Sequence, residues 1–297
     1  DATMAPMLMQ FNVLNAGTLS DPDAGTRGSV GTATTDHYTF DVDDLVTINI
    51  TGKGKKVYKI TEVTTDETTH VSTGTLSYTP STSGFYWEGK ETLDLTAWSY
   101  GSATEMSNDP HGQTFILETN QEGNGYQELL YTSPVDTYSY GTDGIIGLKL
   151  YHQLARLVIN ISYDLGNSLD DIFIGDGLTA VIPTTGKFNR PATGKTTGTW
   201  PEENMGTEHG KIIPKTETAN TCYSAVLIPT TYTENTKFIV INMDDDTFAY
   251  TLDGDIELQA GKQYTFSLTV KNGLILNGIT IDTGFTTGSN PTISQNP

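Results

Sequence analysis

The chain has 297 residues, and its 36 acidic against 16 basic side chains give a formal net charge of -20, which repels phosphate backbones and anionic lipid and leaves no footprint for nucleic acid. Charged residues are only 18% of the total while Thr, Ser, Gly and Asn abound, a balance that suits exposed strand faces and turns and speaks against a helix-rich fold. At this length two domains of roughly 150 residues are expected. The single cysteine, Cys222, has no internal disulfide partner and sits in the apolar run Cys222-Tyr-Ser-Ala-Val-Leu-Ile. A small buried thiol is the expectation, with no neighbouring base in sequence to activate it. No stretch reaches the roughly 18 to 20 apolar residues of a membrane-spanning helix, and no signal peptide precedes Asp1. Composition leaves open both a trimmed exported form and a chain that is never exported.

Met7, Met9, Phe11 and Val13 alternate with Leu8, Gln10, Asn12 and Leu14, the period of two that marks a strand with one mostly apolar face. Residues 15–35 carry the turn signal Asp21-Pro22-Asp23-Ala24-Gly25 and Arg27, and read as an exposed loop. Short strands then recur at 45–50, 57–63, 75–79, 85–87 and 93–100, a spacing that argues for a sandwich or an open barrel. Residues 102–110 are turn-rich, 115–117 and 129–131 are short extended pieces, and 134–143 read as loop. A domain boundary is placed near 143–148, dividing the chain into 1–147 and 148–297. Just beyond it, Leu157, Ile159 and Ile161 alternate against Val158, Asn160 and Ser162. Leu150, Leu154 and Leu157 would also suit a helical turn, but β-branching favours a strand. Further strands are expected at 179–182, 225–228, 237–242, 247–252, 263–270 and 274–281, with Asp244-Asp245-Asp246 and Asp253-Gly254 as hairpin turns. One short helix is considered at 168–172, with Ser168 as its cap.

Catalytic patterns do not emerge. The histidines His37, His70, His111, His152 and His209 do not have the close spacing of a helical zinc pair. Asp21, Asp23 and Gly25 echo the start of a calcium loop, yet its twelfth position is Thr32 where Glu is required. Asp41, Asp43 and Asp44, like Asp244 to Asp246, read as solvated faces, with a structural calcium left open. There is no Gly-x-Ser-x-Gly elbow and no phosphate loop ending in Lys-Ser or Lys-Thr. Neither a catalytic residue nor a cofactor is predicted, although a carboxylate pair for glycoside hydrolysis would be invisible in one sequence. Trp87, Trp98, Tyr126, Tyr131, Tyr138 and Tyr140 could stack on sugar rings, but core or edge packing is the plainer reading.

An ordered set of segments resembles the fimbrillin family, the subunits of the type V pili of Bacteroidales. The first half supplies the opening strand, Thr26-Arg27-Gly28, Phe40-Asp-Val-Asp-Asp-Leu-Val, Thr96-Ala97-Trp98-Ser99-Tyr100 and Glu128-Leu-Leu-Tyr131. The second half supplies Tyr151-His-Gln-Leu-Ala-Arg-Leu-Val-Ile159, Gly186-Lys-Phe-Asn, Leu227-Ile-Pro229 and Leu258-Gln-Ala-Gly-Lys-Gln-Tyr-Thr-Phe266. Together they cover nearly the whole chain. One departure is that Ile279-Thr-Ile281 runs into Asp282-Thr-Gly-Phe285 where many members carry a Trp, which leaves stalk against tip open.

The resemblance implies an all-β protein of two β-sandwich-like (transthyretin-like) domains in tandem, with no enzymatic activity. It implies an exported lipoprotein precursor, held at the outer membrane by a lipid anchor and displayed at the cell surface. An Arg-specific processing protease would cut between Arg27 and Gly28, freeing an N-terminal strand (about 1–27) that bears Met7, Met9, Phe11 and Val13. A donor segment (about 274–297) with Leu274, Leu276, Ile279, Ile281 and Phe285 would then fill the groove of the next subunit. Partners would be other pilin subunits, head to tail, and a host glycan or protein as adhesion ligand. Read without the resemblance, Arg27 is an ordinary surface cation. Two rival functions are a stand-alone, lectin-like surface carbohydrate-binding lipoprotein and a β-rich hydrolase.

Overall fold

In the computed structural model of the chain the described residues are 7–15, 42–65, 72–78, 83–89, 91–101, 108–124, 128–134, 136–139, 144–163, 169–243, 246–271 and 274–283. They open with β1 (Met7–Leu8), β2 (Gln10–Asn15), β3 (Leu45–Ile50), β4 (Gly54–Thr65), β5 (Ser72–Tyr78), β6 (Tyr86–Trp87), β7 (Thr92–Leu93) and β8 (Leu95–Ser99). Next come β9 (Thr114–Ile116), β10 (Leu130–Tyr131), β11 (Tyr138–Ser139), β12 (Ile145–Lys149), β13 (Tyr151–His152), β14 (Ala155–Tyr163), β15 (Asp171–Ile174) and β16 (Thr185–Lys187). The series closes with β17 (Lys215–Thr218), β18 (Cys222–Leu227), β19 (Thr231–Tyr232), β20 (Lys237–Met243), β21 (Asp246–Thr251), β22 (Ile256–Glu257), β23 (Lys262–Val270) and β24 (Leu274–Thr283). The helical turns among the described residues are α1 (Gln121–Asn124) and a 3-10 turn at Glu202–Asn204. The fold is all-β.

An eight-stranded sheet runs in the order β12-β2-β5-β4-β3-β8-β10-β13, and a five-stranded sheet in the order β17-β18-β14-β23-β24. Most neighbours are antiparallel, as hairpins dictate, but β2 runs parallel to β12 and β14 runs parallel to β23. Alternation places Val46, Ile48 and Ile50 of β3 in one apolar cluster with Met9, Phe11, Val13, Ile60, Leu76, Ile146 and Leu148. Leu157, Ile159 and Ile161 of β14 enter a second cluster with Phe238, Tyr264 and Phe266. Trp98, Phe115, Leu117, Leu129 and Tyr131 come from early in the chain and yet join this second cluster. Trp98 stacks on Tyr131 at 6.3 Å, Tyr131 meets Phe188 at 5.6 Å, and Phe115 lies edge-on to Trp200 at 5.6 Å.

Several local expectations are corrected. The helix considered at 168–172 is not formed where it is described: Asp171 and Ile172 belong to β15, whose Ile172 and Ile174 are buried against Ile239 and Ile241 of β20. Alternate burial of β-branched side chains outweighs a cap signal, and Ser168 itself lies outside the described residues. The strand expected at 179–182 reduces to one bridge, Val181 to His209. The Asp176 carboxylate accepts hydrogen bonds from the backbone N–H groups of Leu178, Thr179 and Ala180 and from the Thr179 hydroxyl, holding the segment in a turn instead of a ladder. The stretch read as loop at 134–143 contains β11, with Tyr138 buried opposite Leu93. In the acidic run, Asp43 is exposed and pairs with Lys59 at 2.5 Å, whereas Asp44 is buried.

Candidate functional site: the seat of the N-terminal strand

The strand β2 sits inside the eight-stranded sheet, and its partners lie far from it in sequence. On one side Phe11, Val13 and Leu14 face Ile146, Leu148 and Lys149 of β12; on the other Phe11 and Val13 face Leu76 and Gly74 of β5. Met9, Phe11 and Val13 are at most 2% exposed. Met7, which the alternation put on the same face, is 36% exposed. The ladder breaks at Met9, whose N–H donates to the Phe85 carbonyl at 2.8 Å, so β1 pairs with β6 in a separate ribbon. Burying side chains of this size is worth about 1.5 to 3 kcal/mol each, so three of them anchor β2 firmly.

The floor of the seat is aromatic. The Phe11 ring lies edge-on to Tyr58 at 5.2 Å and to Phe85 at 6.4 Å, while Tyr58 and Phe85 stack at 6.2 Å. Tyr58 accepts the Phe85 N–H through its hydroxyl at 3.0 Å, and burial pushes its phenol up to about 12, so the ring is fixed and neutral. Two glycines close the walls: a β-carbon on Gly74 would lie 2.7 Å from a Val13 methyl, and one on Gly84 2.5 Å from a Leu8 methyl. Neither glycine was singled out by sequence, because the side chains that fill their space come from 61 and 76 positions away (74 - 13 and 84 - 8). No local signal could have found them.

At the other end of the chain, β24 is the edge strand of the five-stranded sheet. Its Leu274, Leu276, Ile279 and Ile281 are only partly buried against the second cluster, and a bulge at its middle breaks the alternation between Leu276 and Ile279. Phe285 lies outside the described residues, as do Arg27 and Gly28. Of the other arginines, Arg156 is buried in β14, donating to Gln263 at 3.1 Å and facing Glu217 at 3.7 Å. Arg190 is exposed but precedes Pro191.

The aromatic residues considered for sugar stacking turn inward where they are described. Trp87, Trp98, Tyr131 and Tyr138 are all buried, and Tyr126 and Tyr140 lie outside the described residues. A cleft of about 620 Å³ does open between residues 196–202 and 257–262, with Glu202, Glu257 and Lys262 at its rim and His152 at its floor. His152 Nδ1 is 3.0 Å from the Glu128 carboxylate, an interaction that ties β13 to the segment two residues ahead of β10. Among the described residues no group of three or more His, Cys, Asp or Glu side chains could hold a metal ion.

A fimbrillin-like family model matches residues 27–284. The chain belongs to that fimbrillin-like family. The strand β2 precedes the matched residues, so its seating is a separate observation. Among solved structures, a Bacteroides uniformis ATCC 8492 protein that carries a cell-adhesion designation is similar at 14% identity, over 95% of this chain and 99% of that one, with a TM-score of 0.63. A Bacteroides ovatus ATCC 8483 protein with the same designation is similar at 12% identity, over 96% and 99%, with a TM-score of 0.62. These are likenesses of fold, over 95% and 96% of the chain. No curated protein sequence matches it.

Proposed function

We propose that this chain is a structural subunit of a bacterial surface pilus that polymerises by strand exchange after proteolysis at Arg27. The observation that carries the reading is the position of β2: a strand on the N-terminal side of Arg27 occupies the interior of a sheet, between β12 and β5. Once the chain is cut behind it, nothing covalent retains it, and its departure opens an apolar groove with two unpaired backbone edges. The C-terminal segment that begins at the half-buried edge strand β24 supplies the residues that would enter the groove of a neighbouring molecule. Such a contact is heterologous and runs head to tail, so it grows a fibre and does not close a dimer. Family membership supports the pilin and adhesion role and a place at the cell surface, reached through a lipid-anchored precursor. We also divide the chain into an N-terminal unit (1–147) and a C-terminal unit (148–297), the first receiving a strand and the second donating one.

Arg27 is favoured as the processing site by elimination as well. Arg156 is buried, and the bond after Arg190 leads to a proline, which lacks the N–H and the conformational freedom a protease needs. Digestion of the intact chain with an Arg-specific protease should therefore cut after Arg27 alone, as read by mass spectrometry, and yield detergent-resistant ladders. Arg27→Ala should block both, while changing monomer stability by no more than about 0.5 kcal/mol. Pili assembled in cells by the Arg27→Ala protein would overturn the proposed trigger.

A further inference from the structure

We infer that the seat of β2 selects its occupant by shape, through an aromatic box at the Phe11 position and a glycine notch at the Val13 position, and that the segment of a second copy it takes is the one centred on Phe285. The inference rests on the strand-exchange reading above for its second half only.

The notch is geometric. Gly74 lies directly across from Val13, and the space its missing β-carbon would fill is occupied by a Val13 γ-methyl 2.7 Å away, with Ile60 methyls at 3.3 and 3.5 Å on the far side. A β-branched residue puts a γ-methyl into that space while its second γ atom, a carbon in Val and a hydroxyl oxygen in Thr, takes the other side of Cβ. Alanine leaves the notch empty, and an unbranched or aromatic side chain has a single γ-carbon, which cannot fill both the notch and the core side, while its further atoms overfill the wall made by Ile60 and Leu148. Two residues earlier the requirement inverts, because the Tyr58 and Phe85 rings present one edge-accepting box that only another ring fills well. The seat therefore calls for an aromatic residue two positions from a β-branched one.

Within residues 274–297 that pattern occurs at one place, Phe285 with Thr283 and Thr287 on either side, as the sequence reads. The pattern is the same in both directions, so Phe285 takes the box whichever way the strand runs. Leu274, Leu276 and Ile279 then fall outside the seat and stay available to the second cluster, where they already pack.

Two arms test this on the full chain. In the intact protein, Gly74→Ala should lower the denaturant midpoint in the wild-type background, yet leave it unchanged or raise it in the Val13→Ala background, where the γ-methyl is gone. An equal loss in both backgrounds would overturn the notch. In the second arm the chain is cut at Arg27 and offered labelled synthetic peptides. The peptide of residues 7–15 should enter the seat, and its Phe11→Ala and Val13→Phe forms should bind at least ~10-fold more weakly. With the Gly74→Ala chain, the Val13→Ala peptide should bind more tightly than the native one. The peptide of residues 281–289 should also enter, and Phe285→Ala should weaken it by ~10-fold or more. Entry of the 7–15 peptide with no effect of Phe285→Ala would overturn the Phe285 assignment. Failure of the 7–15 peptide to enter at all would overturn strand exchange and, with it, the Phe285 assignment, leaving the notch to stand or fall on the first arm.

Discussion

At the scale of single residues, the polar groups that matter are those that replace backbone pairing. Asp176 is the clearest: its side chain is only 10% exposed, and partial burial works to raise its pKa, but hydrogen bonds from Ala180, Thr179 and Leu178 hold the carboxyl well below the usual range. A depressed carboxylate contributes stability that is complete above its unfolded value and is lost as pH falls through the folded one. The stability gap between the native protein and Asp176→Asn should thus be full above about pH 4 and shrink as acid is added, in denaturation curves taken at several pH values. Asp176→Ala should cost about 1 to 3 kcal/mol at neutral pH, since it leaves several N–H donors without their charged acceptor. Cys222, by contrast, is buried opposite Asn160 and Thr218, with burial first and Glu217 second pushing its thiol up. The burial is what its apolar sequence context implies, and slow labelling of the folded protein by a thiol reagent is the expected outcome.

Elements differ in how deeply they are anchored, and the difference runs opposite to what position in the chain would suggest. The early strand β2 is interior and fully buried on its core face, whereas β24 is an edge with half-buried side chains. Truncating Phe11 to alanine empties the aromatic box and should cost about 3 to 5 kcal/mol. Ile279→Ala, on the half-buried face of β24, should cost about 2 kcal/mol or less. Chemical denaturation of the two variants side by side checks the ranking, and a larger loss at Ile279 would contradict it. The apolar face of β2 was legible in the sequence because a period of two is a local property. Its exit at Met7 was not, since the break depends on the carbonyl of Phe85, 76 positions beyond Met9 (85 - 9).

For the whole molecule, the second apolar cluster draws its rings from both halves of the chain. Trp98 and Tyr131 belong by sequence to the first half and pack with Phe188, and Phe115 packs with Trp200. Unfolding of either proposed unit would strip these rings of half their neighbours. The intact chain should accordingly unfold in one transition, with tryptophan fluorescence and far-ultraviolet circular dichroism coinciding. Two separated transitions would show that the ring contacts are too weak to couple the units.

The sequence by itself determined the all-β class, the apolar face of the first strand and the family resemblance, because composition, alternation and turn residues act over a few neighbouring positions. Only the tertiary structure decided that β2 lies parallel to a strand 135 positions later (145 - 10), between β12 and β5, and that Gly74 and Gly84 give up their side-chain space to Val13 and Leu8. It also decided against a surface role for Trp87, Trp98, Tyr131 and Tyr138 and turned Asp176 from an unremarked acid into the cap of a turn. These are long-range packing outcomes: which strand meets which depends on the volumes and hydrogen-bond edges that meet in three dimensions, and neither is written in the spacing of residues along the chain.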